Sequence, residues 1–172
     1  APLVVESKGR IATTGSIAGT VSSQGFAAYS GSKHYIEAFT DSLAAELEPL
    51  GVTVSVIEPG NYQTQIRRSS VKRNMARTVA AGGVITGAME KAYKAIEERE
   101  LSLKSPEDVT QAYQHALFSE QPLRRYVVVP NEREQQRTIE TKVQELVELN
   151  SWGPYSYSDA ELVELLRATL NK

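Results

Sequence analysis

Residues 27–60 read AAYSGSKHYIEAFTDSLAAELEPLGVTVSVIEPG, and the change of period within this stretch decides the fold class. From 27 to 48, Ile36, Phe39, Leu43 and Leu47 recur at the spacing of a helix with an apolar face. Gly51 follows where helices prefer to stop. The next eight residues, VTVSVIEP at 52–59, are a β-branched run closed by Pro-Gly, the composition of a strand. Upstream, GRIATTGS at 9–16 suits a short buried strand after a glycine turn. Strand, helix and strand in that order build a parallel sheet with a crossover.

Working outward, residues 61–85 read as a long polar connection, followed by a helix at about 86–100. Ser105 then stands as a helix cap with Pro106 in the first turn, and that helix runs to about 119. RRYVVVP at 124–130 is a third strand. Two helices follow, at about 132–149 and 158–170, the second opened by a capping box of Ser158 and Glu161. The first residues, APLVVESKGR, look like the last turn of a helix entering a strand, and no methionine begins them. The expectation is one α/β domain with about three parallel strands and flanking helices, beginning partway through its fold and leaving one sheet edge bare.

Composition narrows the function classes. The 172 residues are 41% hydrophobic and 23% charged, ordinary for a soluble globular domain. A net charge of -2 makes no electrostatic case for nucleic acid. No cysteine is present, which excludes disulfides and thiol chemistry and fits a reducing cytoplasm. No apolar run reaches the roughly 18 residues of a membrane span. His34 and His115 have no ligand-like spacing, so no metal site is expected.

The chemistry-bearing residues cluster around the first strand and its helix. Tyr29 and Lys33 are four apart, on one helix face, and Ser16 precedes the tyrosine by 13 residues. Moving hydride to a carbonyl carbon requires a proton at the oxygen, and a positioned tyrosine can deliver it. A lysine ammonium one turn away favours the phenolate that the reverse reaction needs. A serine at the carboxyl end of a parallel strand sits where open α/β sheets bind ligands, and can hold the substrate oxygen. The Tyr/Lys spacing alone equally fits an exposed helix face; the ordered context separates the two readings.

That context, from GRIATTGSIAG through AYSGSKHYIEAFTDSLAAEL to VTVSVIEPGNYQT, resembles the short-chain dehydrogenase/reductase family in its ordinary rather than extended branch. Weaker similarity in SPEDVTQAYQHAL and RRYVVVP carries the resemblance over residues 1–131. The resemblance implies the C-terminal portion of a Rossmann-like doubly wound sheet. It also implies an oxidoreductase that moves a hydride between NAD or NADP and a ketone or secondary alcohol. Tyr29 would be the proton donor and acceptor, Lys33 would bind the nicotinamide ribose, and Ser16 would orient the substrate carbonyl. Pro59 and Gly60 would bring the backbone close to the nicotinamide. Thr64 and the backbone of Tyr62 would bind its carboxamide or the phosphates. Gly15 and Gly31 depart from the serine and alanine that the family often carries, without removing a catalytic atom.

Within that frame, residues 1–60 are the catalytic strand–helix–strand, 61–104 a substrate lid, 105–131 the last helix and strand, and 132–172 the C-terminal helices. The Gly-rich phosphate-binding turn expected after a first strand is not in this sequence, so the chain is expected to be N-terminally incomplete. The alternative is a non-catalytic remnant serving as an oligomerisation or binding module. Arg67, Arg68, Lys72, Arg73 and Arg77, with no acidic residue in 61–89, either attract an anionic substrate or merely solvate the lid. Trp152, Tyr155 and Tyr157 are expected in a core or subunit contact, and the stripe Ile139, Val143, Leu146, Val147 against the domain or a neighbour. Helix 27–48 has more apolar positions than one packing face needs. Ala38, Phe39 and Ala45 are therefore expected partly against a second copy, in a dimer or tetramer.

Overall fold

The computed structural model describes residues 2–171. A short helix, α1 (Pro2–Glu6), leads into β1 (Arg10–Thr14), and α2 (Ala27–Leu47) crosses over to β2 (Thr53–Pro59). Then come α3 (Ile66–Ala80), α4 (Gly87–Leu101), α5 (Glu107–Phe118) and β3 (Arg125–Val128). The C-terminal helices are α6 (Glu132–Asn150) and α7 (Asp159–Leu170).

The three strands form one parallel sheet in the order β1-β2-β3, with Arg10 opposite Thr53 and Val56 opposite Arg125. Residues 54–58 of β2 are all buried because the strand is central and covered on both faces, Ser55 and Glu58 as fully as Val54, Val56 and Ile57. On one face Val52 and Val54 pack with Ala44 of α2, joined by Leu43, Leu47 and Val4. On the other, Ile57 meets Ala112 and Ala116 of α5, with Tyr113 and Val128 around them. Helices on both faces of a parallel sheet make a doubly wound layer. Among the described residues β1 pairs only with β2, so its outer edge has no strand beside it.

The structure departs from the sequence reading in three places. The polar connection at 61–85 contains α3. It has no Gly or Pro inside but only a weak apolar stripe and several middling helix formers (Ser69, Ser70, Asn74, Thr78), and ion pairs tie it to α4. Arg68 lies 3.0 Å from Glu100 and 3.3 Å from Glu97. Helix α5 takes Pro106, not Ser105, as its N-cap, with no side-chain cap hydrogen bond. Phe39 turns off the sheet face of α2 and stacks on Tyr35 at 5.8 Å, leaving Ile36, Leu43 and Leu47 partly buried. Elsewhere the structure narrows the reading: Trp152 and Tyr155 are each 92% exposed and belong to no core, which leaves the subunit contact. The stripe Ile139, Val143, Leu146, Val147 is likewise about half exposed, so the domain does not cover it. By contrast Ser158 and Glu161 form the expected capping box on α7.

Candidate active site

The carboxyl ends of β1 and β2 carry the site. Strand β1 stops at Thr14, so Ser16 lies two residues beyond the strand and not within it, capping a 3₁₀ turn at Ile17–Gly19. Its hydroxyl accepts from the Ala18 N–H at 3.1 Å and makes a long contact, 3.4 Å, with the Pro59 carbonyl. Ser16 thus bridges the ends of both strands. Gly15 beside it has a packing reason. A Cβ there would come within 2.8 Å of both Glu37 Oε1 and Val56 Cγ2, so the larger serine has no room.

Tyr29 and Lys33 occupy the first two turns of α2. The Lys33 ammonium donates to the Thr14 carbonyl at 3.1 Å, which pins the side chain at the end of β1. The same nitrogen lies 5.9 Å from the centroid of the Tyr29 ring, within range of a cation–π attraction. Tyr29 is 38% exposed and its ring meets Phe26 edge-on, so the hydroxyl is reachable from solvent. Fixing the ammonium on a backbone carbonyl removes its rotameric freedom and leaves its remaining N–H donors for a ligand.

The turn after β2 is held from behind. A Cβ on Gly60 would meet Glu134 Oε2 at 2.4 Å and Val129 Cγ1 at 2.9 Å, so the glycine is demanded by the strand β3–α6 connection. The Asn61 N–H donates to the same Glu134 oxygen at 2.9 Å. Tyr62 is 4% exposed and donates its hydroxyl to Asp108 at 2.9 Å. Burial first, and then Asp108, push its phenol well above the ordinary tyrosine range, so Tyr62 stays protonated with its hydroxyl committed to Asp108. Thr64 caps the entry to α3, its hydroxyl accepting from the Ile66 N–H at 3.3 Å.

One cluster beneath the site escaped the sequence reading. Glu58 of β2 is 1% exposed, and Glu37 of α2 lies beside it. Arg125 of β3 reaches Glu58 at 3.2 Å, Glu37 at 3.0 Å and Asp41 at 2.9 Å. Three carboxylates therefore share one guanidinium. Burial, then the neighbouring Glu37, raise the Glu58 carboxyl from 4.5 to about 7. No local pattern signals this cluster, since Arg125 meets residues 67 to 88 positions away.

The doubly wound α/β layer thus brings a serine, a tyrosine and a lysine together at the carboxyl ends of its parallel strands, where open sheets of this kind bind ligands. Comparison with known proteins specifies the family. The short chain dehydrogenase profile matches residues 1–75, and the chain belongs to that family. It is 34% identical to retinol dehydrogenase 5 of Mus musculus over 134 residues, 73% of this chain and 42% of that protein. It is 33% identical to the uncharacterized oxidoreductase YbbO of Escherichia coli K12 over 121 residues, 70% of this chain and 40% of that one. It is 30% identical to the mitochondrial D-beta-hydroxybutyrate dehydrogenase of Rattus norvegicus over 135 residues, covering 73% and 39%. The chain thus spans about 40% of the length of these curated relatives. Among solved structures, a short-chain dehydrogenase from Streptomyces avermitilis superposes with a TM-score of 0.58 at 21% identity, over 88% of this chain and 52% of that one. One from Burkholderia cenocepacia J2315, in complex with NADP, does so at 0.54 and 19%, over 86% and 49%. Both show the same fold. No helix among the described residues is long and apolar enough to cross a membrane.

Proposed function

We propose that the chain carries the proton-transfer part of an oxidoreductase that moves a hydride between NAD or NADP and a ketone or secondary alcohol. One observation carries this reading: Lys33, anchored on the Thr14 carbonyl, sits beside the reachable Tyr29 at the same sheet end as Ser16. Retinol and D-beta-hydroxybutyrate, named in two relatives, are different alcohols, which supports the reaction type and leaves the substrate open.

The residues present fit a nicotinamide ribose and carboxamide. Lys33 has free N–H donors beside a half-exposed phenol, and the backbone at 60–62 and the Thr64 hydroxyl line the next turn. When bound, the nicotinamide supplies or accepts the hydride. Lys33 would hold the ribose hydroxyls and keep positive charge next to Tyr29. In the reducing direction the Tyr29 hydroxyl gives its proton to the carbonyl oxygen as that oxygen gains negative charge, and in the oxidising direction it takes the proton back. The Ser16 hydroxyl, whose contact to Pro59 is long, is free to turn and donate to the same substrate oxygen. Tyr62 is no rival for the proton, since Asp108 and burial hold it neutral.

On the same reading Ala38, Phe39 and Ala45, all exposed on α2, lie partly against a second copy, as a dimer or tetramer. A cysteine-free chain suits a reducing compartment, and we assign it to the cytoplasm. The test is Tyr29→Phe in a catalytically active protein containing residues 1–172. Turnover should fall by about 10²–10⁴, the usual worth of a general acid/base. Turnover within a few-fold of the parent refutes the assignment.

A further inference from the structure

A cleft of about 190 Å³ opens between the start of α3 and the C-terminal half of α4. Ile96 and Leu103 give it half-buried aliphatic walls, while Arg67 and Arg99 bring exposed guanidinium groups to it, with Asn61 beside them. Glu100 also lines the cleft and would repel an anion, but its charge is already taken. It is 2% exposed, one oxygen accepts from the Arg67 backbone N–H at 3.0 Å, and the other from Arg68 Nε at 3.0 Å. Arg68 is not among the residues that line the cleft. The Arg67 guanidinium spends one bond on a neutral acceptor, the Asn61 amide oxygen, at 2.7 Å. Arg99 has no carboxylate within ion-pairing distance among the described residues. Two cations without carboxylate partners therefore face a space with hydrocarbon walls.

Guanidinium groups recognise oxyanions through paired, planar N–H donors. Hydrocarbon walls favour a ligand whose anion is attached to an apolar body over a small hydrated one. Asn61 directly follows the Pro59–Gly60 turn, and the Pro59 carbonyl is the atom that Ser16 contacts. The cleft is thus one turn of chain from the reaction site. We propose that it is a subsite for the carboxylate of an organic acid, with Arg99 and Arg67 as its cations, so that the substrate is an oxo acid or hydroxy acid of hydrocarbon character. The identity of that ligand as the substrate rests on the dehydrogenase reading above; the subsite itself does not.

The test is calorimetric titration of the 172-residue chain, without cofactor, with hexanoate and with its neutral match hexanamide. Hexanoate should bind saturably in the millimolar range and at least ten-fold tighter than hexanamide. Arg99→Gln should weaken hexanoate about ten-fold, and Arg67→Gln plus Arg99→Gln should abolish saturation. Arg99→Lys should keep part of the affinity. Circular dichroism at each variant's working temperature confirms that the helices persist, so lost binding is not lost folding. Equal binding of hexanoate and hexanamide overturns the proposal, as does undiminished binding in Arg99→Gln. So does displacement of hexanoate by inorganic phosphate at equal concentration, which would make the cleft a phosphate site. Because no cofactor or turnover enters, carboxylate binding in a protein whose Tyr29→Phe variant stays active would leave the subsite standing and the catalytic reading refuted.

Discussion

Replacing Glu58 by glutamine should make the folded chain more stable at alkaline pH, the reverse of what losing a buried ion-pair partner ordinarily does. Glu58 faces Arg125 from β3, Glu37 from α2 and the more distant Lys142 from α6, while Asp41 of α2 pairs with the other side of Arg125. The Glu58 Oε1 and that of Glu37 are buried without a hydrogen-bond donor. Burial and the second carboxylate outweigh the cations and raise Glu58 from 4.5 to about 7. An acid raised on folding is favoured in its protonated form. Its contribution is therefore complete below about pH 4.5 and is lost as pH climbs through about 7. At ~1.4 kcal/mol per pH unit the loss amounts to about 3 kcal/mol. Glutamine mimics the protonated carboxyl and does not titrate. Urea melts of parent and Glu58→Gln from pH 5 to 8.5 should coincide near pH 5 and separate by up to about 3 kcal/mol at pH 8.5. In a domain of this size that is roughly 6–12 °C in melting temperature. Glu37→Gln should also flatten the profile, by removing the like charge. A Glu58→Gln protein less stable than the parent at pH 8.5 would mean that the ionised Glu58 is favourably paired with Arg125, and would refute the reasoning.

Arg68→Ala leaves the buried Glu100 without its cation, and should cost roughly 3 kcal/mol while loosening α3 from α4; hydrogen exchange confined to 66–101 would report it, and unchanged protection would count against it. Calorimetry of the 172 residues alone should find NADPH binding on the order of millimolar or weaker, since only nicotinamide-side groups are identified here; micromolar binding would show that the chain holds a dinucleotide site unaided. Phe39→Glu should shift sedimentation toward monomer if the exposed face of α2 is a subunit contact, and a parent already monomeric at micromolar concentration removes that reading.

The amino-acid sequence determined what depends on near neighbours. The β-branched run of β2 announces a strand, Tyr29 and Lys33 share a helix face by spacing alone, and Ser158 with Glu161 sets the start of α7. These are effects of backbone periodicity and local hydrogen bonding, and they need no tertiary partner. Tertiary structure decided what depends on groups distant in the chain. Helix α3 reads as a polar loop because Glu97 and Glu100, about 30 residues on, anchor it in place of an apolar stripe. Glu58 sits at the polar end of a strand, and only the folded chain encloses it with Arg125 and Glu37, just as it brings Asp108 to the Tyr62 hydroxyl from 46 residues on. Trp152 and Tyr155 show the converse: aromatic character sets how much burial a residue can gain, but only the packed neighbours settle whether it is buried, and here none cover them.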